Sequence, residues 1–269
     1  MALLHIGLQH PVFRELLTLR RNEGRSTPDR IVVEGAWEHE QLLTSGAVVE
    51  SFFWCPEASQ SERAQKYAAE TSTTALASYR ISERALARLT RQGRPDGLLS
   101  VARLPSWEPS EFRFGRSGLV LVADGVEYAG NLGTLIRTVD AARADCLVLT
   151  NRRARRSHPK VLSASRGMVL RTPVVEFDTV SASADWLREH GFHVLLADPG
   201  TSVSYRSVDY AAAPTAIVVG SEGSGLPPEW RSQGFEAVSI PMLGLADSLN
   251  VALSAGILLF EARAHKNGW

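Results

Sequence analysis

Short, almost continuous apolar runs recur through the second half of the chain, at residues 119–123 (LVLVA), 146–149, 194–197 and 216–219. A shorter one lies near 238–240. Each is followed by a helical stretch. Near-continuous apolar strands alternating with helices predict a mostly parallel sheet buried on both faces. A last helix is expected from about Ser248 to His265. Its stretch 251–260 (VALSAGILLF) is apolar almost all round. Such a helix packs on more than one side, inside the fold or against a second subunit.

The first half shows shorter pieces. Residues 30–34 (RIVVE), 51–55 (SFFWC) and 97–103 (GLLSVAR) read as strands, and 35–43, 62–70 and 82–89 as helices, the last with Ser82 as N-cap and Leu86 and Leu89 on one face. The stretch 105–118 carries two prolines and two glycines and reads as a linker. The expectation is therefore an α/β protein with a small domain over 1–104, a linker over 105–118 and a larger domain over 119–269.

Composition narrows the class. Hydrophobic residues at 44% and charged residues at 22% are globular values, so a real core is expected. Lys+Arg and Asp+Glu balance at 29 each, so any nucleic-acid contact must come from local patches. The cysteines, Cys55 and Cys146, show no metal-ligand spacing, so neither a disulfide framework nor a structural metal is expected. There is no basic n-region followed by a long apolar run, and no stretch approaches the ~18 apolar residues of a membrane span. A cytoplasmic protein without a membrane partner is the expectation.

Ligands of open α/β sheets sit outside the carboxyl ends of the strands. Three loops there are rich in glycine and polar groups. In 124–138 (DGVEYAGNLGTLIRT), Asn131 is placed to cap a helix and Arg137 lies about two turns along. This reads either as a capped helix with a surface arginine or as a helix N-terminus with an arginine reaching a phosphate. In 220–228 (GSEGSGLPP), the spacing is GxxGxG, neither the dinucleotide fingerprint nor a P-loop, which argues against a dehydrogenase or an NTPase. Glu222 suits a cation better than a phosphate, so the loop fits the sulfonium of S-adenosylmethionine better than ATP or NAD; the alternative is an ordinary glycine turn. In 240–250 (IPMLGLADSLN), Ser248 and Asn250 stand at a helix start beside an apolar edge that suits an adenine.

Two basic features bear on RNA. Residues 151–160 (NRRARRSHPK) hold Arg152, Arg153, Arg155, Arg156 and Lys160, a solvated charge run or a phosphate contact. Arg84 and Arg88 share a helix face, with Arg91 and Arg94 in the following turn. With few aromatics nearby, both point to backbone contact rather than base stacking.

Taken in order, NLGTLIRT (131–138), VVGSEGSGLP (218–227) and SIPMLGLADSLNVALSAGILLFE (239–261) resemble the SpoU/TrmH family of SPOUT RNA ribose methyltransferases. Residues 32–46 (VVEGAWEHEQLLTSG) resemble the L30e-like RNA-binding domain that often precedes that catalytic domain. ASRGMVLRTPVV (164–175) and GLLSVARLP (97–105) are similar to the thiostrepton/nosiheptide-resistance group, which modifies 23S ribosomal RNA. The resemblance implies a C-terminal SPOUT α/β domain with a deep trefoil knot. It implies S-adenosylmethionine as cofactor, resting near Leu196, Gly220, Ile240 and Leu249, and a homodimer built partly on the last helix. It also implies catalytic roles for Arg137, Asn131, Glu222, Ser248 and Asn250, and RNA contact by Arg166. Arg143 stands where many members have glycine after the first-motif helix, Ser163 where an arginine is frequent, and Ala252 where a serine is frequent.

The reaction expected is 2′-O-methylation of a ribose. Because a guanidinium is almost never deprotonated, Arg137 is expected to hold the phosphate and the developing alkoxide while the proton passes to a phosphate oxygen or water. The alternatives are a transfer-RNA methyltransferase and a non-catalytic RNA- or ribosome-binding protein.

Overall fold

The computed structural model describes residues 3–22, 29–90 and 96–269. It divides into two compact units, one of residues up to Pro105 together with Arg155–Arg171, the other of Ser106–Ala154 together with Thr172–Trp269. Residues 155–171, which sequence patterning groups with the C-terminal region, thus pack with the first unit.

In the first unit β1 (Leu4–His5), α1 (Pro11–Asn22), β2 (Arg30–Glu34), α2 (Ala36–Ser45), β3 (Val49–Trp54), α3 (Glu62–Thr74), β4 (Ser78–Arg80), α4 (Glu83–Leu89) and β5 (Leu98–Arg103) build a sheet of order β1-β4-β3-β5-β2. The β1–β4 and β4–β3 pairs are parallel, while β5 runs antiparallel to β3 and β2. Ser82 caps α4 as its sequence predicts, its side chain accepting from the Ala85 amide. Helix α1 has no counterpart in the strand-and-helix reading above. Its Phe13, Leu16 and Leu19 recur every third residue and are all buried, a face that helical geometry gathers on one side.

The second unit holds β6 (Leu119–Asp124), α5 (Ala129–Ala141), β7 (Cys146–Thr150), β8 (Val174–Glu176), α7 (Val180–Glu189), β9 (His193–Ala197), β10 (Thr215–Val219), α8 (Pro228–Arg231), β11 (Glu236–Val238) and α9 (Val251–Asn267); α6 (Pro159–Ala164) belongs to the first. Every neighbouring pair in its sheet, β11-β9-β10-β6-β7-β8, is parallel. The predicted parallel sheet is therefore present, and its apolar strands β6, β7 and β10 are buried at every position. The chain leaves β6 toward β7 and leaves β10 toward β11 on the opposite side. The carboxyl ends of β6 and β10 thus flank a switch point, where ligands of such sheets bind.

The stretch 105–118 is packed rather than loose from Pro109 onward. Phe114 stacks edge-on to Phe192 at 4.8 Å and to Trp186 at 5.5 Å between ring centres, and the Trp186 indole donates to the Pro109 carbonyl at 3.1 Å.

Candidate functional site

Strand β6 ends on Asp124, which is buried. Its Oδ2 accepts from Thr150 Oγ1 at 2.6 Å, Asn151 Nδ2 at 2.9 Å and Trp230 Nε1 at 3.0 Å. One carboxylate oxygen therefore ties the ends of β6 and β7 to α8. Patterning missed it because Asp124 follows an apolar run and reads as the first residue of a loop.

Helix α5 begins at Ala129, with Tyr128 at its N-cap making no side-chain cap bond. Asn131 is consequently inside the first turn and not its cap, contrary to the sequence expectation. The amide is engaged elsewhere. Asn131 Nδ2 donates to Glu222 Oε1 at 2.7 Å, and the Glu127 amide donates to Glu222 Oε2 at 3.2 Å. The carboxylate of Glu222 thus serves the open N-terminus of α5, where negative charge is favoured. Burial pushes the Glu222 pKa up, but the hydrogen bonds from Asn131 and from the backbone around Glu222, Glu127 and Tyr128 outweigh it and hold the carboxyl below its ordinary value.

Asn250 completes the network. Its Nδ2 donates to Asn131 Oδ1 at 3.2 Å, and its Oδ1 accepts from the Ala252 amide at 3.0 Å, capping α9. The carboxylate fixes which end of each amide faces which neighbour, because it can only accept. Residues from all three predicted loops therefore meet in one chain of bonds. Ser248 stands apart from that chain, exposed, with its hydroxyl on Asp247 Oδ1 at 3.2 Å. Arg137 is exposed on α5.

Glu222 also lines a cleft of about 330 Å³ outside the ends of β9, β10 and β11. Gly220, Ile240, Ser248 and Leu249 line it. Leu196 is buried within β9, and its successors Ala197 and Asp198 reach the cleft in its place. The glycine loop closes on itself: Ser221 and Gly225 exchange backbone hydrogen bonds at 3.1 and 3.0 Å. A Cβ on Gly220 would lie 2.1 Å from the Gly225 carbonyl carbon. That glycine is demanded by the loop's own close approach. Sequence patterning also missed the ion pair on the cleft wall, Arg231 to Asp198 at 3.2 Å. Its members, one just past β9 and one at the end of the short α8, lie outside any motif.

The basic residues are placed variously. Arg152 pairs with Glu176 at 3.0 Å and Arg153 with Glu127, so both are partly neutralised. Arg84 and Arg88 are exposed on α4; Arg91 and Arg94 lie outside the described residues. Arg166 is exposed at φ +53°, its carbonyl accepting from Trp37 Nε1 at 3.0 Å and its guanidinium 5.6 Å from the Trp37 ring centre. Among the described residues, no group of three or more His, Cys, Asp or Glu could hold a metal ion, and no helix is long and apolar enough to cross a membrane.

A parallel sheet with a cleft outside the carboxyl ends of β9, β10 and β11, a self-closed glycine loop and an anion-anchored amide network define an α/β enzyme built around a small organic ligand. The chain belongs to the SpoU rRNA Methylase family, whose family model matches residues 118–260. Residues 11–100 match the MRM3-like substrate binding domain. An uncharacterized tRNA/rRNA methyltransferase from Synechocystis sp. is 28% identical over 95% of this chain and 91% of its own. The crystal structure of an RNA 2′-O ribose methyltransferase is 31% identical, with a TM-score of 0.80 over 98% of both chains. An AdoMet-bound rRNA methyltransferase from Sinorhizobium meliloti is 27% identical, with a TM-score of 0.85 over 96% of both chains.

Proposed function

We propose that this chain transfers a methyl group from S-adenosylmethionine to the 2′-hydroxyl of a ribose in RNA, with 23S ribosomal RNA as substrate. The observation that carries the reading is the Asn250–Asn131–Glu222 network, which joins three loops distant in sequence beside the cleft. Such convergence of polar groups from separate loops suits a reacting centre. The family membership and the named relatives support the reaction and the cofactor. The cleft's chemistry fits the cofactor: an apolar wall of Ile240, Met242 and Leu249 suits an adenine, and two carboxylates suit its positive charges.

When bound, S-adenosylmethionine supplies an electrophilic methyl group on a positively charged sulfur. The chain's own task is to position and stabilise the attacking oxygen. Arg137 stays charged and, exposed on α5, holds the RNA phosphate and the developing alkoxide, while the hydroxyl proton passes to a phosphate oxygen or water. Asn131, oriented by Glu222, directs the ribose. Arg166 at the Ser-Arg-Gly turn, Arg84 and Arg88 contribute backbone contacts to the RNA. The similarity of residues 97–105 and 164–175 to the thiopeptide-resistance group supports the choice of 23S RNA and a role in protecting ribosomes from an antibiotic.

The working species we propose is a homodimer. Leu253 and Phe260 are exposed on α9 at 54% and 47%, with Gly256 and Ile257 half-buried between them. At i, i+3, i+4 and i+7 these four form one apolar stripe.

The test is transfer of labelled methyl from S-adenosylmethionine to purified 23S, 16S and transfer RNA, with alkali resistance marking ribose methylation. Arg137→Ala is expected to lose about 10²–10³ in rate while binding cofactor as the wild type does. Label in transfer RNA would overturn the substrate and keep the reaction. A fully active Arg137→Ala would remove that residue's role.

A further inference from the structure

We propose that Arg231 recognises the α-carboxylate of the cofactor's methionyl portion, with Asp198 as the residue that positions it. The proposal rests on the cofactor reading above and assigns the cleft's charged wall to one end of that ligand.

Among the described residues lining the cleft, the charged ones are Asp198, Glu222 and Arg231. Glu222 is committed to Asn131 and to the start of α5. Arg231 is the one cation. S-adenosylmethionine carries one anionic group, its carboxylate, so charge matching leaves a single assignment. The adenosine has no charge for an arginine to read, and the sulfonium would be repelled by it.

The geometry suits the task. Asp198 follows β9 directly, and its amide donates to the Val238 carbonyl at 3.0 Å, joining it to the end of β11. Its Oδ1 accepts from the Gly200 amide at 2.8 Å, and its Oδ2 meets an Arg231 terminal nitrogen at 3.2 Å. Asp198 is thus held through its backbone amide and both carboxylate oxygens, and its side chain is only 21% exposed against 59% for Arg231. Arg231 follows the fully buried Trp230, whose indole is held on Asp124, so its backbone is anchored too. A guanidinium has five N–H donors. The contact with Asp198 leaves donors free for a ligand carboxylate in a charge-assisted bond, the strong kind. Asp198 in turn can face the ligand's α-ammonium. An arginine already held over the cleft costs less ordering when ligand arrives.

Calorimetric titration with two ligands separates the possibilities: S-adenosylhomocysteine, which has the amino-acid portion, and 5′-methylthioadenosine, which has the same adenosine and sulfur without it. Arg231→Ala is expected to weaken S-adenosylhomocysteine binding about 10- to 100-fold and to leave methylthioadenosine within about twofold, with part of the loss recovered in Arg231→Lys. Asp198→Asn should weaken S-adenosylhomocysteine by a smaller factor. Arg231→Ala that binds S-adenosylhomocysteine like the wild type overturns the proposal. So does equal loss of both ligands, the mark of a distorted cleft. Wild-type protein that binds neither ligand overturns the cofactor reading itself, a failure distinct from the other two.

Discussion

His39 lies on α2 with no exposure at all, its Nδ1 2.7 Å from the Gly35 carbonyl and its Nε2 2.9 Å from Ser100 Oγ. A carbonyl only accepts, so Nδ1 carries a proton. Burial pushes its pKa down to about 4. An unfolded histidine titrates near 6.5. Between those values the unfolded chain takes up a proton that the native chain refuses, so stability falls as pH drops through the window and is complete above it. Denaturant melts should lose about 2 kcal/mol between pH 7.5 and pH 5 from this group, and His39→Gln should lack that slope; parallel profiles for the two proteins would refute the account. Arg143 is a second residue under local constraint. It is exposed, follows α5 at φ +49°, and offers its carbonyl to Arg263 at 2.6 Å. A side chain in this left-handed region costs about 1 kcal/mol. The carbonyl contact is unaffected by the side chain, so Arg143→Gly should raise stability by about 0.5–1 kcal/mol in a denaturant titration. The resemblance to a family with glycine there already marked this position, and the dihedral supplies the reason.

At the scale of elements, α9 carries two faces. Val251, Ala255, Leu258, Leu259 and Ala262 are buried, while the stripe from Leu253 to Phe260 is not. Its far end is tied down by polar groups instead. Arg263 Nε donates to the Ala142 carbonyl at 2.9 Å, and Lys266 Nζ reaches the carbonyls of Tyr210 and Ala213, each at 2.7 Å. These bonds hold the helix without the exposed stripe. Leu253→Glu with Phe260→Glu should therefore leave the circular dichroism unchanged and halve the mass measured by light scattering, from two chains to one. Wild-type protein already at one chain would dispose of the dimer. Apolar sequence all round α9 was enough to say that it needs more than one neighbour. It was not enough to say which face was left over, because that depends on what the sheet and α5 cover.

Across the whole molecule, legibility tracked the range of the physical cause. Strands β6, β7, β9 and β10 were readable because burial on both faces writes an uninterrupted apolar run. Their spatial order was not, since the insertion of β10 between β9 and β6 is decided by crossovers rather than by any residue in the strands. Motifs located Asn131, Glu222 and Asn250, but only the fold showed them bonded to one another. Asp198 and Arg231 carried no signal, because an ion pair between the end of a strand and the end of a short helix leaves no period behind. Nor does any pattern announce that residues 155–171 finish the first unit, where Val161, Val169 and Leu170 are buried and Gly167 stands at φ +83°, a Cβ there lying 3.0 Å from the Gln41 side chain. That last arrangement bears on how the protein is made. Synthesis proceeds from the N-terminus, and domains ordinarily fold as they emerge. Here the first unit must wait for its closing segment until β6, α5 and β7 have been translated. Its final packing is thus scheduled behind synthesis of the opening half of its neighbour.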